Sequence, residues 1–245
     1  MSSIAKILAR QNVSLHGPAG DPDVAHGRAE LTRFIGENYR VFNALRRQMR
    51  SGGKFHLHSA AARGLIAALT SQDVIAPVAG ASGFWRPTAG ASAYIDGGWL
   101  EELGFLAMEA AGAEEVRFRQ RVEWQALGVA GYNEIDVIAR CGEQLALVSC
   151  KAAQPDLHSY ADQSARMRDF LLEADYWNTH FVDGSGQAVL MISTDLIDET
   201  RPAPGFRMPS LHARAHVLEV DLVSLDFFRW SILVDTFRKI LGKGI

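Results

Sequence analysis

Two neighbouring segments decide the fold: residues 132–140, with the sequence YNEIDVIAR, and residues 145–151, with the sequence LALVSCK. The residues between them, 141–143, predict a tight turn, so the two segments are expected to pair as antiparallel strands. Side chains of a strand alternate between its two faces. This alternation places Glu134 and Asp136 on one face of the first strand, and Ser149 and Lys151 on one face of the second.

The ends of these strands carry charged groups in an otherwise apolar hairpin. If the strands pair across the turn, the carboxylates of Glu134 and Asp136 converge with the ammonium of Lys151 near one end of the sheet. Ionisable groups in such a place cost desolvation energy unless they are paired or bound to a metal. The residue types alone leave two interpretations open, a catalytic centre and a simple Asp136–Lys151 salt bridge.

The segments around the hairpin predict a mixed sheet with helices on both faces. Residues 116–125 alternate between apolar and polar side chains and predict a strand, and the apolar run at 188–193 predicts a strand covered on both faces. A further short strand is predicted at 216–220. Helices are predicted at 99–111, 159–177, 209–215 and 222–241. This order of elements indicates an α/β (α+β) fold.

The first 96 residues are predicted to form a small, mainly helical appendage, and residues 97–245 the main domain, because the composition shifts after Gly90. Residues 1–16 are expected to be a short amphipathic arm. The appendage is otherwise predicted to hold two helices, the first bent near Gly36, and two short strands, an order that loosely resembles a winged-helix module. These elements fall at residues 30–49, 59–69, 73–77 and 83–86.

Composition and charge exclude several classes of protein. The chain has 245 residues, 48% of them hydrophobic and 22% charged, with a net charge of −3, values typical of a folded globular protein. This charge excludes a protein that is basic all over, but it allows a local basic groove. Two cysteines cannot build a disulfide framework and favour a reducing, cytoplasmic setting. No run approaches the ~18 consecutive apolar residues of a membrane span, so no membrane partner is expected.

Three short motifs, taken in order, resemble the core of the PD-(D/E)xK nuclease superfamily. They are GGWLE at 97–101, NEID at 133–136 and SCK at 149–151. In that superfamily an aspartate on one strand and an acid-x-lysine on the next hold a divalent metal and activate water. Asp136 and Lys151 fall on those positions. The motifs together are similar to the nuclease domain of CRISPR-associated effectors activated by cyclic oligoadenylate, in which the glutamate of the first motif lies near the active site.

The resemblance implies a restriction-endonuclease-like fold and a metal-dependent nuclease that hydrolyses phosphodiester bonds of DNA or RNA, in anti-phage or CRISPR-associated defence. Lys151 would orient the attacking water or stabilise the developing charge, and Gln163 would contact the nucleophile or a phosphate. A homodimer is expected, because the family commonly uses two sites to cut two strands. The ligands of Mg²⁺ or Mn²⁺ would come from Asp136, Glu101, Glu134 and the backbone carbonyl of Cys150.

Two departures from the family pattern bear on activity. Ser149 stands where the family carries the acid of the acid-x-lysine motif, and a neutral hydroxyl is a poor ligand for a hard cation. Either Glu134 or Glu101 serves in its place, or the chain is a catalytically weakened nuclease-fold module that binds nucleic acid or a protein partner. In addition, residues 1–96 are too short for the oligoadenylate-sensing domain of these effectors and carry no pattern that matches it.

Arginines in three places are candidates for contact with nucleic-acid phosphates. They lie on one face of the strand at 116–125, on the helix that follows Lys151, and at the end of the helix at 30–49. Each group also has a structural interpretation: charge protects edge strands from aggregation, cations complement a helix C-terminus, and helix surfaces are often solvated. The residues in question are Arg117, Arg119, Arg121, Arg166, Arg46, Arg47 and Arg50.

Overall fold

The computed structural model describes residues 2–50, 59–156, 160–199 and 205–242, without the side chains of residue 126 and of residues 160–164. In chain order its strands are β1 (Val13–His16), β2 (Ile75–Pro77), β3 (Trp85–Pro87), β4 (Glu115–Ala126), β5 (Val129–Cys141), β6 (Gln144–Lys151), β7 (Gln187–Ile192), β8 (Ile197–Asp198), β9 (Gly205–Phe206) and β10 (Val220–Val223). Its α-helices are α1 (Ile4–Leu8), α2 (Pro22–Gly27), α3 (Ala29–Glu37), α4 (Tyr39–Arg50), α5 (Ala60–Ser71), α6 (Trp99–Ala110), α7 (Tyr160–Phe181), α8 (Pro209–Val217) and α9 (Trp230–Ile240).

Six strands form the central sheet, in the order β1-β4-β5-β6-β7-β10. The pairs β1–β4, β4–β5 and β5–β6 are antiparallel, whereas the pairs β6–β7 and β7–β10 are parallel. The predicted hairpin is present, with Val137 opposite Val148 and Cys141 opposite Gln144. The predicted mixed central sheet flanked by helices is therefore confirmed.

Helices cover both faces of this sheet. On one face, the buried side chains of Trp99 and Leu103 in α6 join a core with Val137 and Val148, to which α3–α5 and α9 also contribute. On the other face, α1 and α7 pack against β5 and β6, with Trp177 fully enclosed. Coverage on both sides explains why β6 and β7 are apolar along nearly their whole length. None of the described helices combines the length and the apolar character that crossing a membrane requires.

Three predicted elements differ from the structure. Residues 1–16 are not a free arm, because β1 pairs with β4 at the edge of the sheet, with Leu15 opposite Val122. The helix predicted at 30–49 is two helices, α3 and α4, which meet at Asn38, whose side chain donates to the carbonyl of Phe34. The strand predicted at 216–220 is wrong: α8 continues to Val217, and β10 starts at Val220, where the parallel partner β7 fixes its register.

The last predicted helix also begins later than expected, since a 3₁₀ turn at Leu225–Phe227 precedes α9. In the predicted appendage, α3, α4 and α5 contact one another and β2 pairs with β3. Because β1 belongs to the central sheet, the first 96 residues contribute both to that sheet and to the layer outside α6. The division of the chain at residue 97 stays a prediction.

Candidate active site

Four charged side chains from four elements meet where β5 and β6 approach α6 and α7. Asp136 lies on β5, Lys151 ends β6, Glu101 lies in the first turn of α6, and Glu173 lies on α7. We call these four residues the charged cluster. The side chains of Asp136, Glu101 and Lys151 are only 14%, 19% and 20% exposed, so their charges interact through protein rather than through open water.

Asp136 is fixed by the backbone of the neighbouring strand. The backbone N–H of Cys150 donates to its Oδ2 at 2.6 Å, and the same oxygen lies 3.8 Å from Nζ of Lys151. Burial raises the pKa of Asp136 to about 7, against the opposing effects of Lys151 and the Cys150 N–H, and the negative charges of Glu101 and Glu173 raise it further. A carboxyl group in this state gains from any additional positive charge placed beside it.

Lys151 is held between two carboxylates. Its Nζ lies 2.6 Å from Oε2 of Glu173, in addition to its contact with Asp136, and 5.5 Å from the centre of the Phe170 ring. Burial alone lowers the pKa of Lys151, but Asp136 and Glu173 together raise it above the ordinary value. Lys151 therefore remains a charged hydrogen-bond donor throughout the physiological range of pH.

Glu173 is the functional candidate that the sequence analysis missed. The hydroxyl of Ser149 donates to its Oε2 at 3.4 Å, so a carboxylate from α7 reaches the place where the family pattern puts an acid on the strand. Its signal in the sequence is weak, because it lies at the margin of the buried stripe of α7 that includes Leu171 and Ala174. An acid in that position is also common on an ordinary solvated helix face.

Glu101 is brought to the cluster by the GGWLE motif and is paired with Arg119. The Nε of Arg119 is the donor to Glu101 Oε2. Arg119 has a φ of 49°, in the left-handed region that non-glycine residues seldom adopt. At this residue the pairing of β4 with β5 is interrupted, because Arg119 and the facing Asp136 are not paired with each other. A Cβ on Gly98 would lie 1.5 Å from Nη2 of Arg119, so this guanidinium occupies space that only glycine leaves open.

The same interruption changes the face of the sheet on which the side chains of β5 lie. Val137 packs in the core on the α6 side, whereas Ile135, two residues earlier, packs with Ile138 on the opposite side. The alternation on which the sequence analysis relied is therefore broken at Asp136. Consequently Glu134 does not share the face of Asp136: it is exposed, and its cross-strand neighbour is Arg121.

The remaining predicted residues are distributed differently. Arg117 and Arg119 separate at the same irregular step, since Arg117 contacts Glu115 and Gln120 whereas Arg119 reaches Glu101. Arg166 lies on α7 and lines a cavity beside Lys151. Gln163 belongs to α7, but its side chain lies outside the described part of the structure.

The thiol of Cys150 does not serve as a nucleophile. Burial, and then the charges of Asp136 and Glu101, raise its pKa well above the usual value, so the thiolate is not populated at neutral pH. The residue is buried, and its Sγ would lie 3.7 Å from a Cβ placed on Gly104 of α6. Cys150 therefore enters the site through its backbone alone.

The donor chemistry of the charged cluster suits a hard divalent cation. Carboxylates and backbone carbonyls are the ligands that Mg²⁺ and Mn²⁺ prefer. Among the residues that the structure describes, however, no group of three or more His, Cys, Asp or Glu side chains lies close enough to hold an ion. In the charged cluster, Arg119 engages Glu101 and Lys151 engages Glu173. Carboxylates suited to a metal are present, but each is paired with a cation of the protein.

Comparison with known proteins supports the fold. No family profile matches the chain, and no curated protein sequence matches it either. Among solved structures, it is similar to protein VC1899 from Vibrio cholerae, with a TM-score of 0.67 and 15% sequence identity over 98% of this chain and 62% of that one. It is also similar to Can2 from Sulfobacillus thermosulfidooxidans in complex with cyclic tetra-adenylate, with a TM-score of 0.65 and 14% identity over 98% of this chain and 61% of that one.

At these identities the likeness shows the fold alone. Because it covers 98% of the chain in both cases, it includes the helices of the first 96 residues as well as the central sheet. The chain spans about three fifths of the length of each of these two proteins.

Proposed function

We propose that this protein is a metal-dependent nuclease that hydrolyses phosphodiester bonds of DNA or RNA at the charged cluster. The observation that carries the proposal is the position of Glu173, whose carboxylate lies 2.6 Å from Lys151 and 3.4 Å from the hydroxyl of Ser149. The acid that the strand motif lacks is thus supplied by α7. With it, the site contains an aspartate and a second carboxylate that both contact one lysine, and these groups suit metal-assisted hydrolysis of a phosphodiester.

Each group of the cluster has a role that follows from its chemistry. Asp136, fixed by the Cys150 N–H, would hold Mg²⁺ or Mn²⁺ together with Glu173 or Glu101 and the carbonyl of Cys150. When bound, such an ion acts as a Lewis acid and lowers the pKa of a coordinated water.

Lys151 and Ser149 complete the proposed site. Lys151, which keeps its proton, is placed to donate hydrogen bonds to the attacking water or to a phosphate oxygen as negative charge develops there. Ser149 is fully buried and orients Glu173 through its hydroxyl. Its replacement of the family acid therefore moves a carboxylate from the strand to the helix instead of removing it.

The biological setting is proposed from the comparisons and from the sequence motifs. The structural neighbour Can2 was determined with cyclic tetra-adenylate, in agreement with the resemblance of the GGWLE, NEID and SCK motifs to effectors activated by cyclic oligoadenylate. We therefore place the nuclease in CRISPR-associated or other anti-phage defence, in the cytoplasm, as a homodimer.

A second candidate function is a weakened nuclease-fold module that binds nucleic acid or a protein partner without cutting it. The observation that favours it is the pairing of both Glu101 and Glu173 with cations, which leaves no three-acid group in the described residues. Isothermal titration with Mn²⁺ separates the two functions, because only the nuclease requires an ion to displace these ion pairs.

The deciding experiment measures cleavage of single-stranded and duplex DNA and of RNA with Mn²⁺, Mg²⁺ or EDTA. We expect Asp136→Ala, Lys151→Ala and Glu173→Gln each to reduce the rate by about a hundredfold or more, since each removes a metal ligand or the charged donor. The matched control is Asp169→Asn, which neutralises a 65% exposed carboxylate one helical turn from Glu173. Unchanged cutting by the Asp136 and Lys151 variants would place the chemistry elsewhere in the protein.

A further inference from the structure

A cavity of about 440 Å³ opens directly beside the charged cluster. Its walls come from the end of α4, the turn before α6, the end of β6 with the residues that follow it, and α7. Four of the side chains that line it are cationic, and Asp96 is the only carboxylate among its described lining residues. The four cations are Arg46, Arg50, Lys151 and Arg166.

The four cations differ in how their charges are balanced. Lys151 is paired with Glu173 and Asp136, and Arg50 with Asp96. Neither Arg46 nor Arg166 forms an ion pair with any of the side chains that the structure describes, which leaves out those of residues 160–164. The wall of the cavity therefore carries two guanidinium groups whose charge the described part of the protein does not neutralise.

Arg46 is the more informative of the two, because it is only 4% exposed. Its Nη2 donates to Oδ1 of Asn43 at 2.7 Å and to the hydroxyl of Tyr39 at 3.2 Å, and its Nη1 donates to the carbonyl of Asp96 at 3.3 Å. All three acceptors are uncharged. The Nε of Arg46 is buried and has no acceptor among the residues that the structure describes.

Such an arrangement is costly unless something else supplies the counter-charge. Burial of a cation among neutral partners forfeits hydration that neutral acceptors replace only in part, and an unsatisfied buried N–H adds to the cost. An anion in the adjoining cavity would balance the charge of Arg46. Arginine is well suited to this task, since its planar fork matches the oxygens of a phosphate.

We propose that this cavity is a subsite for the nucleic-acid backbone, in which Arg46 and Arg166 bind a phosphate neighbouring the one that is cut. The inference rests on the proposed nuclease function and deepens it, because it identifies residues that position the strand across the charged cluster. It also gives the first 96 residues a part in substrate binding. The α4 helix is anchored at the site, since the Tyr39 hydroxyl donates to the carbonyl of Ala153 at 2.5 Å and the Asn43 side chain donates to Gln154 at 2.9 Å.

The position of Arg46 on a helix C-terminus does not account for these observations. Complementing a helix dipole requires only a cation near the last turn, which the exposed neighbour Arg47 provides equally well. Burial of Arg46 beside a cavity is additional to that role. Arg47, on the same helix but absent from the cavity wall, is therefore a matched control.

The test measures binding without cleavage, by fluorescence anisotropy of a short labelled deoxythymidine strand on the Asp136→Asn background. We expect Arg46→Met and Arg166→Gln each to weaken binding by about tenfold, as for a lost hydrogen bond to a charged group. Each is also expected to reduce the slope of log affinity against log salt by about 0.7, the value for one phosphate contact on a single strand. Arg47→Gln is expected to leave affinity and slope unchanged. Arg46→Lys, which keeps the charge and loses the fork, is expected to weaken binding less and serves if the methionine variant does not fold.

Thermal melting of the same variants distinguishes binding from a purely structural role. Arg46→Met is expected to melt no lower than its parent, because it removes an uncompensated buried charge. A lower melting temperature with unchanged affinity for the strand would overturn the proposal. So would weaker binding of inorganic phosphate by Arg46→Met together with unchanged affinity for the strand, because the cavity would then bind free phosphate and not the nucleic-acid backbone. Cleavage is assayed separately. If strand binding depends on Arg46 but no strand is cut, the proposed nuclease activity is refuted. If strands are cut at a rate that does not depend on Arg46, the proposed subsite is refuted.

Discussion

Neutralising Asp136 is expected to stabilise the fold at the same time as it abolishes catalysis. Asp136→Asn keeps an oxygen to accept the hydrogen bond from the Cys150 N–H, but it removes a charge that burial and two neighbouring acids oppose. The folded-state pKa of Asp136 is raised, so the folded protein holds a proton that the unfolded chain releases more easily. The resulting penalty is absent at low pH, grows as the pH rises above 3.8, and becomes constant once the pH passes about 7.

The size of this effect follows from the two pKa values. The interval from 3.8 to about 7 spans about 3 units, and each unit is 1.36 kcal/mol, which gives about 4 kcal/mol above pH 7. Between pH 3.8 and pH 5 the pH rises by only a little more than one unit, so the penalty near pH 5 is about 1.5 kcal/mol. The attraction of Lys151 is contained in the raised pKa itself, so it adds no further contribution.

Urea unfolding of the wild type and of Asp136→Asn, near pH 5 and near pH 8 in EDTA, measures the difference directly. We expect the asparagine variant to be more stable at both values and its advantage to grow by about 2.5 kcal/mol between them. Asp169→Asn, which removes an exposed carboxylate, serves as the control and is expected to show no such growth. An advantage that is equal at the two pH values, or a loss of stability near pH 8, would refute the account of Asp136.

Three further predictions concern the same site. Ser149→Glu places a second acid against Glu173 in a fully buried position and is expected to lower the melting temperature. When it is combined with Glu173→Gln, the acid stands on the strand instead of the helix, and Mn²⁺-dependent cutting is expected to return to within about tenfold of the wild type. A double-mutant cycle measures this recovery. Gly98→Ala forces the Arg119 guanidinium away from Glu101 and is expected to cost about 1 kcal/mol in urea unfolding, with no added loss in an Arg119→Met background. Mn²⁺ is expected to raise the melting temperature near pH 8 in the wild type and not in Asp136→Asn, because only a site with an ionised Asp136 binds the ion to the folded state.

The sequence predicted those parts of the fold in which local pattern and tertiary structure agree. The hairpin of β5 and β6 follows from an apolar pattern and a tight turn, and β7 follows from an apolar run that needs cover on both faces. The edge strand β1 was missed, because four residues with one fully buried side chain carry almost no pattern. Its assignment depends on pairing with β4, more than a hundred residues away.

The sequence could predict the residues of the site only where the side chains of a strand alternate regularly between its two faces. Asp136 and Lys151 follow from the strand motifs, but the left-handed backbone at Arg119 reverses the faces of β4 and β5, and period-two alternation then assigns Glu134 to the wrong side. Glu173 could not be predicted for a different reason. Which acid of a long helix approaches a sheet depends on how that helix packs, and Glu173 is itself only half-buried, between the exposed Leu172 and the buried Ala174.

The net charge of the site changes sign when a divalent cation binds, and this change suits a reaction on an anionic polymer. Three carboxyl groups, Glu101, Asp136 and Glu173, face the cations Lys151 and Arg119, which leaves one acid in excess over the cations. This excess attracts a divalent cation and would repel a phosphate while the cation is absent. Once the cation is bound, the excess becomes one positive charge, which matches the single negative charge of a phosphodiester. An overall charge of −3 is therefore compatible with the proposed nucleic-acid substrate, because binding at such a site would depend on a metal and on a few arginines rather than on a basic surface.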